Sequence, residues 1–484
     1  MDYKSLTKAE LDEIFGSVSF RTTPGLHQLQ SLAWAADKRR IAYWGDVGIG
    51  KSLWALYALK MWGCSKTLIV CPNSVVKGWA EQIEEHTDTT FHILTGTAAK
   101  RKKLLAKPGD LYVINYEGLS VLFSEKVEKL DPRSGEYYKI WQIDHKAIRK
   151  AGFDSLLVDE CHHVKNKDAN QTKIVHAIAK DVRNMIMMTG TPVSTTEADL
   201  WAQYWCLDDG LTFGSKSYMK FLKHHFKQRA YGWAVTVKGK KEILGQVAPV
   251  TMRFGREECG ELPPLIEVDR VVQMTPEQKK LTKDICEGVL AKVGDGVLSP
   301  QDELQVPSKL AQVAGGFLIG DDGKVTRLKK NPKLDAAMEI VEDTGEKVII
   351  FHQYVEEGRM LHERLEKAGI DHAQLRGEVK DKDSQYWRFK HDARCRVLVA
   401  HPASGGEGLN LQVASVVWFY SSDYSGAVTR PQCVGRVWRA GQEKTCVVGD
   451  IILSGSIDEV KLDRISSRKQ MAKAVLEWVK TYKG

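Results

Sequence analysis

A glycine-rich segment near the N-terminus has the residue types and spacing needed to bind phosphate. Gly45-Asp-Val-Gly48-Ile-Gly50-Lys51-Ser52 follows the pattern Gly, four residues, Gly-Lys-Ser, between a predicted strand and a predicted helix. Its glycines let backbone amides turn toward a phosphate, and the helix N-terminus adds positive potential. Lys51 can reach the outer phosphates of a nucleotide, and the Ser52 hydroxyl can ligate a magnesium ion. The segment therefore predicts a site for ATP and Mg²⁺.

Two adjacent carboxylates end an apolar run, Ser155-Leu-Leu-Val-Asp159-Glu160. Acidic side chains at the end of a buried strand are costly unless they meet a metal or an exposed cleft. Asp159 would hold magnesium, directly or through water, and Glu160 would orient and deprotonate the water that attacks the γ-phosphate. Together with the phosphate loop, the pair predicts hydrolysis of a nucleotide.

Two arginines near the C-terminus could supply positive charge to that reaction. Arg436 and Arg439 are three residues apart, which places them on one face of a predicted helix. An arginine delivered from a second domain stabilises the charge on the γ-phosphate in the transition state and makes hydrolysis depend on domain closure. Taken alone, two arginines on a helix are more often surface charges.

Short apolar strands alternate with helical patterns in two parts of the chain, as in α/β domains whose parallel sheet is covered on both faces. In the first part we predict strands at residues 41–44, 67–70, 111–114, 156–159 and 185–188, and helices at 52–62 and 74–85. In the second part we predict strands at 347–351, 396–400, 416–420 and 446–451. The fold class is therefore α/β, with two parallel-sheet lobes in tandem.

The chain of 484 residues is too long for one hydrophobic core, and its pattern changes between the lobes. We expect an N-terminal arm (1–25), a first lobe (26–201), a basic helical insert and linker (202–333), a second lobe (334–455) and a C-terminal helix (456–484). Two further features are a hairpin at 233–244, which turns at Lys238-Gly-Lys-Lys241, and an interruption at 125–151 that projects from the first lobe.

The composition excludes several other classes of protein. Apolar residues make up 43% and charged residues 27%, as in ordinary folded proteins. No apolar run approaches the ~20 residues needed to cross a bilayer, and the first residues lack the pattern of a secretory signal. We expect a cytoplasmic protein without a membrane partner. The net charge of +8 supports weak attraction to polyanions, and the nine cysteines contain no Cys-x-x-Cys pair that would indicate zinc.

In order and density, these motifs resemble those of the Swi/Snf-type branch of helicase superfamily two, from about residue 26 to 469. Further segments that carry the resemblance are Leu26-His-Gln28-Leu-Gln, Cys71-Pro-Asn-Ser-Val-Val-Lys77-Gly-Trp79, Asn115-Tyr116-Glu117, Asp159-Glu160-Cys161-His162-His163, Thr189-Gly-Thr191-Pro, Ser404-Gly405-Gly406-Glu-Gly408-Leu-Asn410-Leu and Gln432-Cys-Val-Gly-Arg436. The resemblance covers nearly the whole chain.

The resemblance implies that ATP binds between two RecA-like lobes, with Gln28 near adenine, Gly408 at the nucleotide, and Arg436 and Arg439 as fingers from the second lobe. It also implies a coupling group and a set of DNA contacts. The coupling residues would be His162, Thr189, Thr191 and Gln432, and the DNA contacts Lys77, Trp79, Tyr116, Gly405, Gly406 and Asn410. Trp79 could equally belong to the core.

A member of this branch is expected to move along duplex or branched DNA at the expense of ATP, in this case in a bacterial or phage-infected cell, near the nucleoid. A helicase that separates strands of DNA or RNA remains an alternative, and so does a protein that uses ATP only as a binding switch. The complete set of catalytic groups argues against the switch. Thr195 and Trp438 depart from the residues usual in the family, Asn and His, and leave the tightness of coupling open.

Overall fold

The computed structural model describes residues 3–16, 18–130, 137–193, 196–229, 232–259, 262–294, 300–320, 322–402, 409–421, 429–439 and 441–460. The chain divides into two compact units, Met1–Glu261 and Leu262–Gly484. None of the described helices is both long and apolar enough to span a membrane.

The first unit contains a seven-stranded sheet that is parallel throughout, in the order β11-β1-β8-β7-β2-β4-β3. Its strands and those of two separate hairpins are β1 (Arg40–Gly45), β2 (Thr67–Cys71), β3 (Phe91–Ile93), β4 (Leu111–Asn115), β5 (Ser124–Leu130), β6 (Tyr137–Ile143), β7 (Ser155–Asp159), β8 (Asn184–Thr189), β9 (Phe226–Arg229), β10 (Gly232–Val235) and β11 (Thr251–Phe254).

Helices cover both faces of this sheet because its strands are apolar on both sides. Along β2, Leu68 and Val70 belong to one buried core, whereas Ile69 and Cys71 belong to the other. The helices are α1 (Lys8–Phe15), α2 (Leu26–Ala35), α3 (Lys51–Met61), α4 (Val76–His86), α5 (Ala98–Leu105), α6 (Tyr116–Phe123), α7 (His145–Ala151), α8 (Asn170–Asp181), α9 (Asp199–Asp208), α10 (Tyr218–His225) and α11 (Val237–Val247).

The second unit has a six-stranded parallel sheet in the order β12-β19-β18-β15-β17-β16, and a short hairpin of β13 and β14. Its strands are β12 (Leu265–Gln273), β13 (Phe317–Ile319), β14 (Val325–Arg327), β15 (Val348–Phe351), β16 (His372–Leu375), β17 (Val397–Ala400), β18 (Val416–Phe419) and β19 (Cys446–Ser454). Its helices are α12 (Pro276–Gly294), α13 (Pro300–Gly315), α14 (Pro332–Asp343), α15 (Val355–Lys367), α16 (Lys382–His391) and α17 (Thr429–Val434).

Two parallel sheets confirm the predicted α/β class, but the segment predicted as an insert and linker, 202–333, takes part in both sheets. Strand β11 extends the edge of the first sheet beside β1, and β12 pairs with β19 along nine residues at the edge of the second. Four-residue β11 is too short for a periodic signal, and β12 is largely exposed, so neither has the apolar run of a buried strand. The first unit therefore continues to residue 261.

The hairpin predicted at 233–244 is wrong. The hairpin of this region consists of β9 and β10, and Val237–Val247 is helix α11. The Thr236 hydroxyl caps that helix by accepting a 2.9 Å hydrogen bond from the Gly239 amide, so Lys238-Gly-Lys-Lys241 forms a first helical turn. The interruption at 125–151 contains the β5–β6 hairpin and α7. The C-terminal helix was predicted at 456–484. Its first residues form a 3₁₀ turn at Ile457–Glu459, and residues 461–484 lie outside the described residues.

Candidate nucleotide site

Three adjacent strands bring the predicted catalytic segments to one edge of the first sheet. The order β1-β8-β7 is parallel, with Trp44 opposite Thr189 and Met188 opposite Asp159. The phosphate loop after β1, the Thr189-Gly-Thr191 segment after β8 and Asp159-Glu160 at the end of β7 therefore emerge side by side. The carboxyl edge of a parallel sheet is where α/β proteins bind ligands.

The phosphate loop curves around the ammonium group of Lys51. Gly48 and Gly50 have φ of 92° and 77°, in the left-handed region that glycine adopts without strain. Lys51 begins α3, and its Nζ donates to the carbonyls of Gly45 at 2.8 Å and Asp46 at 3.1 Å. The cation thus lies against the loop that would hold the phosphates.

Helix α2 supports this loop from behind. The Gln28 amide Nε2 donates to the Gly50 carbonyl at 3.0 Å, while its Oε1 accepts from the Gly25 amide at 2.8 Å. The neighbouring His27 has its Nε2 2.8 Å from the Ile49 carbonyl, and because a carbonyl only accepts, Nε2 carries the proton. Burial lowers the pKa of His27. Gln28 thus holds the phosphate loop in shape, and its contact with adenine stays a prediction.

Arg256 is a functional candidate that the sequence did not indicate. Its Nη2 donates to the Val47 carbonyl at 2.8 Å, and its backbone amide donates to the Asp46 carboxylate at 3.0 Å. Arg256 lies just after β11, whose Phe254 is opposite Gly45. Only the pairing of β11 with β1 explains this contact, so no motif could have revealed it.

Asp159 is positioned by two buried aromatic side chains. The indole Nε1 of Trp79 donates to Asp159 Oδ2 at 2.9 Å, and the Tyr116 hydroxyl donates to the Asp159 carbonyl at 2.7 Å. Trp79 is 1% exposed and Tyr116 2% exposed. Both side chains pack inside the lobe and hold the carboxylate in place, and their predicted contact with DNA stays a prediction.

Glu160 has a backbone conformation unusual for its residue type. Its φ of 49° is left-handed, which costs about 1–2 kcal/mol for a residue with a side chain. The Thr189 hydroxyl donates to Glu160 Oε2 at 3.0 Å, and His162 Nδ1 lies 3.3 Å from the same oxygen and 3.0 Å from Thr189 Oγ1. The Thr191 amide completes the group by donating to Thr189 Oγ1 at 3.0 Å. Three of the predicted coupling residues thus meet at the predicted general base.

The two carboxylates differ in their tendency to hold a proton. Burial and the adjacent charge of Glu160 raise the pKa of Asp159, against smaller opposing effects of the Trp79 donor and Lys51. Burial also favours the protonated form of Glu160, but the hydrogen bond from His162 and the charge of Lys51 outweigh it and lower the pKa of Glu160. Glu160 therefore gives up its proton more readily than Asp159, as suits a general base.

The donor set at this edge suits a magnesium ion. Each Asp159 oxygen accepts one hydrogen bond, from Trp79 and from the Glu160 amide, and so keeps a lone pair for a cation. The Ser52 hydroxyl, at the second position of α3, is a hard oxygen ligand of the kind Mg²⁺ prefers. A bound dication would reverse the elevated pKa of Asp159.

In the second unit, the predicted helix carrying both arginines ends early. Helix α17 stops at Val434, and Arg436 and Arg439 follow in consecutive turns, so the prediction of one shared helical face is wrong. Gly435 directly after the helix favours its ending there. Both arginines are half-buried, and the Arg436 carbonyl accepts from the Leu411 amide at 3.1 Å.

The remaining predicted residues are placed as follows. Gln432 is buried in α17, Asn410 is half-buried with its carbonyl 3.1 Å from the Tyr386 hydroxyl, and Lys77 is exposed on the first turn of α4. Gly405, Gly406, Gly408 and Thr195 lie outside the described residues.

Trp438 donates from its indole to the Pro263 carbonyl at 2.7 Å, so the segment after α17 is attached to the start of the second unit.

Comparison with known families agrees with this order of motifs. The model of the SNF2-related domain matches residues 27–312, and that of the helicase conserved C-terminal domain matches residues 332–441. The two matches define an ATPase of helicase superfamily two. Because the first match alone spans more than half of the chain, the protein belongs to the SNF2-related family.

Individual relatives are distant. The chain is 24% identical to the uncharacterized ATP-dependent helicase MG018 of Mycoplasma genitalium, over 90% of this chain and 40% of that protein. It is 22% identical to the ISWI chromatin-remodeling complex ATPase ISW1 of Saccharomyces cerevisiae, over 94% and 41% respectively. The chain thus spans about two fifths of the length of these curated relatives. A solved structure, the Sulfolobus solfataricus SWI2/SNF2 ATPase core in complex with dsDNA, is 22% identical with a TM-score of 0.42, covering 95% of this chain and 97% of that one.

Proposed function

We propose that the protein is an ATP-dependent DNA translocase that couples hydrolysis to movement along duplex or branched DNA. The observation that carries the proposal is the hydrogen-bonded group of Glu160, Thr189 and His162 beside the phosphate loop. A general base held by a threonine at the end of β8 and by a histidine in the 3₁₀ turn that follows β7 is placed to respond to changes in both segments. A simple binding site would not need it.

The chemistry assigned to the residues follows from their positions. Lys51 would exchange its contacts with the loop carbonyls for the β- and γ-phosphates. Glu160 would align a water with the γ-phosphate and accept its proton. Ser52 and Asp159 would hold Mg²⁺, which supplies positive charge on the phosphate oxygens.

Coupling would arise from the loop after β8. Thr189 contacts Glu160 through its hydroxyl, and the same strand leads through Thr191 into α9, which begins at Asp199. A shift of this segment when phosphate leaves would change the position of the lobe surface that grips DNA. Arg436 and Arg439, supplied by the second unit, would make hydrolysis depend on closure of the two lobes.

DNA is the favoured track because basic side chains are exposed on two helices of the first unit. Lys77 on α4, and Lys100, Lys102 and Lys103 on α5, are exposed and could neutralise phosphates. The name of the yeast relative, a chromatin-remodeling ATPase, also favours duplex DNA over RNA.

One observation favours the alternative of strand separation. The β5–β6 hairpin carries Trp141, 59% exposed, with the Lys126 ammonium 5.1 Å from its ring. An exposed aromatic ring beside a cation is suited to stacking on an unpaired base. The hairpin could therefore separate strands at a fork.

A triplex-displacement assay distinguishes a translocase on duplex DNA from a strand-separating helicase. A translocase moving on duplex DNA displaces a triplex-forming strand and leaves the duplex intact, whereas a helicase also separates a forked duplex. We expect ATP-dependent triplex displacement by the wild type and none by Glu160→Gln. Separation of a fork without triplex displacement would favour the helicase, and neither activity despite DNA-stimulated hydrolysis would reject movement.

A further inference from the structure

A second cluster of potential ligands lies on the first unit, outside the nucleotide site. It consists of His224 and His225, the last two residues of α10, and Glu242 on α11. Glu242 Oε2 is 3.6 Å from His224 Nε2 and 3.4 Å from His225 Nδ1, and one ligand atom from each residue lies within 4.8 Å of the others. Among the described residues this is the one such group of three.

The buried member of the cluster has a polar atom that makes no hydrogen bond to the described residues. The His225 side chain is 2% exposed, and its Nδ1 has no hydrogen-bond partner among the described residues although it faces the Glu242 carboxylate. A buried ring nitrogen without a partner costs free energy, so its presence calls for an explanation.

The backbone holds the three residues together. The Thr236 amide donates to the His225 carbonyl at 3.1 Å, and the Thr236 hydroxyl caps α11. A Cβ on Gly239 would lie 2.0 Å from the His225 carbonyl oxygen, so only glycine allows the first turn of α11 to approach the end of α10 this closely. Glu242, less than one turn further along α11, is thereby carried to the two imidazoles.

The distances suit a shared metal ion better than hydrogen bonds. At 3.4 and 3.6 Å, the nitrogen–oxygen separations exceed the usual range of about 2.7–3.2 Å for a hydrogen bond. Two ligands of one tetrahedral zinc ion, each bonded at about 2.0–2.1 Å, are roughly 3.3 Å apart. The Lys238 ammonium, 3.7 Å from Glu242 Oε1, is on an 87% exposed side chain that can turn into solvent at little cost.

We propose that His224, His225 and Glu242 bind a zinc ion, with water as the fourth ligand. Imidazole nitrogen and carboxylate oxygen are ligands that Zn²⁺ accepts in this number and geometry. The ion would fasten the base of the β9–β10 hairpin, because β9 starts at Phe226, directly after His225. It would also stiffen α11, whose Lys240 pairs with Glu197 at 2.8 Å, shortly before α9 begins.

The test is metal binding by the full chain after treatment with a chelator, in nucleotide-free buffer with excess Mg²⁺ to saturate the hydrolytic site. Co²⁺ serves as the visible probe, and Zn²⁺ is measured by its displacement. We expect one Co²⁺ per chain with the intense absorption of a four-coordinate site, displacement by Zn²⁺, and a higher melting temperature with Zn²⁺.

The variants make the assignment specific. His224→Ala, at an exposed side chain, and Glu242→Gln should each weaken binding tenfold or more and abolish the thermal shift. Lys238→Gln, which removes the adjacent cation and no ligand, should bind Zn²⁺ as tightly as the wild type or more tightly. Absence of a stoichiometric Co²⁺ complex, or affinities unchanged in both ligand variants, would overturn the proposal.

Discussion

The indole nitrogen of Trp79 donates a 2.9 Å hydrogen bond to Asp159 Oδ2, so a tryptophan inside the lobe orients the carboxylate predicted to hold magnesium. Trp79→Phe keeps an aromatic ring and removes this donor. A hydrogen bond to a charged group contributes about 1.5–3 kcal/mol. We therefore expect a higher pKa of Asp159 and a several-fold higher Mg²⁺ concentration for half-maximal ATP hydrolysis.

A matched control is Trp62→Phe, because the Trp62 indole donates at 3.0 Å to the Ala35 carbonyl, away from the site. Its Mg²⁺ dependence should equal that of the wild type. An equal rise in the Mg²⁺ concentration for half-maximal hydrolysis in both variants would mean that the loss of tryptophan packing, rather than of the bond to Asp159, causes the effect.

The Thr189 hydroxyl is predicted to act on the chemical step rather than on binding. Thr189→Val removes the group that donates to Glu160 and accepts from the Thr191 amide. We expect kcat for ATP hydrolysis to fall tenfold or more with a smaller change in KM. Thr172→Val is the control, since the buried Thr172 hydroxyl has no hydrogen-bond partner among the described residues and its removal should leave kcat unchanged. A change in KM alone in Thr189→Val would contradict the assignment.

Gly50 and Gly63 form a natural pair for testing the phosphate loop. Both have a left-handed φ, 77° and 67°, so alanine carries a similar backbone strain of about 1 kcal/mol at either position. At Gly50 the new Cβ would lie 2.4 Å from Gln28 Nε2, whereas at Gly63 nothing lies within 4 Å. Gly50→Ala should abolish binding of a fluorescent ATP analogue, and Gly63→Ala should retain it with a slightly lower melting temperature. Retained binding in Gly50→Ala would show that the contact with Gln28 is dispensable.

Glu357, on α15 of the second unit, gives a prediction about pH. It is fully buried, its Oε2 accepts from the Gln353 and Tyr354 amides at 3.1 and 3.0 Å, and burial raises its pKa to about 7. Between pH 4.5, the ordinary value, and about 7, the folded chain binds one proton more than the unfolded chain. The free energy of unfolding should therefore fall as the pH rises through this window, by up to roughly 3 kcal/mol, and stay level above it.

The side chain of Glu357→Gln cannot ionise, so the free energy of unfolding of this variant should no longer fall as the pH rises. Urea denaturation at pH 5 to 8 would measure this. Glu363→Gln, an exposed acid on the same helix whose pKa is lowered by Arg327, should keep this decline. A wild-type stability that rises between pH 5 and 7, or a decline that survives in Glu357→Gln, would contradict the assignment to this group.

Much of the fold was predictable because long apolar runs specify buried parallel strands. The strand predicted at 67–70 is Thr67–Cys71, and the one at 185–188 is Asn184–Thr189. Short or exposed strands gave no such signal, as in Phe91–Ile93 and Leu265–Gln273. The hairpin error at 233–244 arose because glycine flanked by lysines is typical of a turn, while the tight packing of Gly239 on His225 is visible only in three dimensions.

Parts of the candidate site could be predicted from the sequence, namely those whose residue types and spacing are typical of one chemical role. The phosphate loop and the Asp159-Glu160 pair lie at the ends of β1 and β7, the two strands that flank β8. What the sequence could not provide is the direction in which each side chain points. Trp79 and Tyr116 point inward to Asp159, and Arg256 reaches the phosphate loop from a distant segment.

The most direct test of the central claim is ATP hydrolysis by the purified chain, alone and with single-stranded DNA, duplex DNA, forked DNA or RNA, in parallel with Glu160→Gln. The proposed role of Glu160 predicts strong stimulation by duplex or forked DNA and its loss in the variant, with ATP binding retained. Hydrolysis that no polymer stimulates, or stimulation that persists in Glu160→Gln, would contradict a DNA-driven motor that uses this residue as its base.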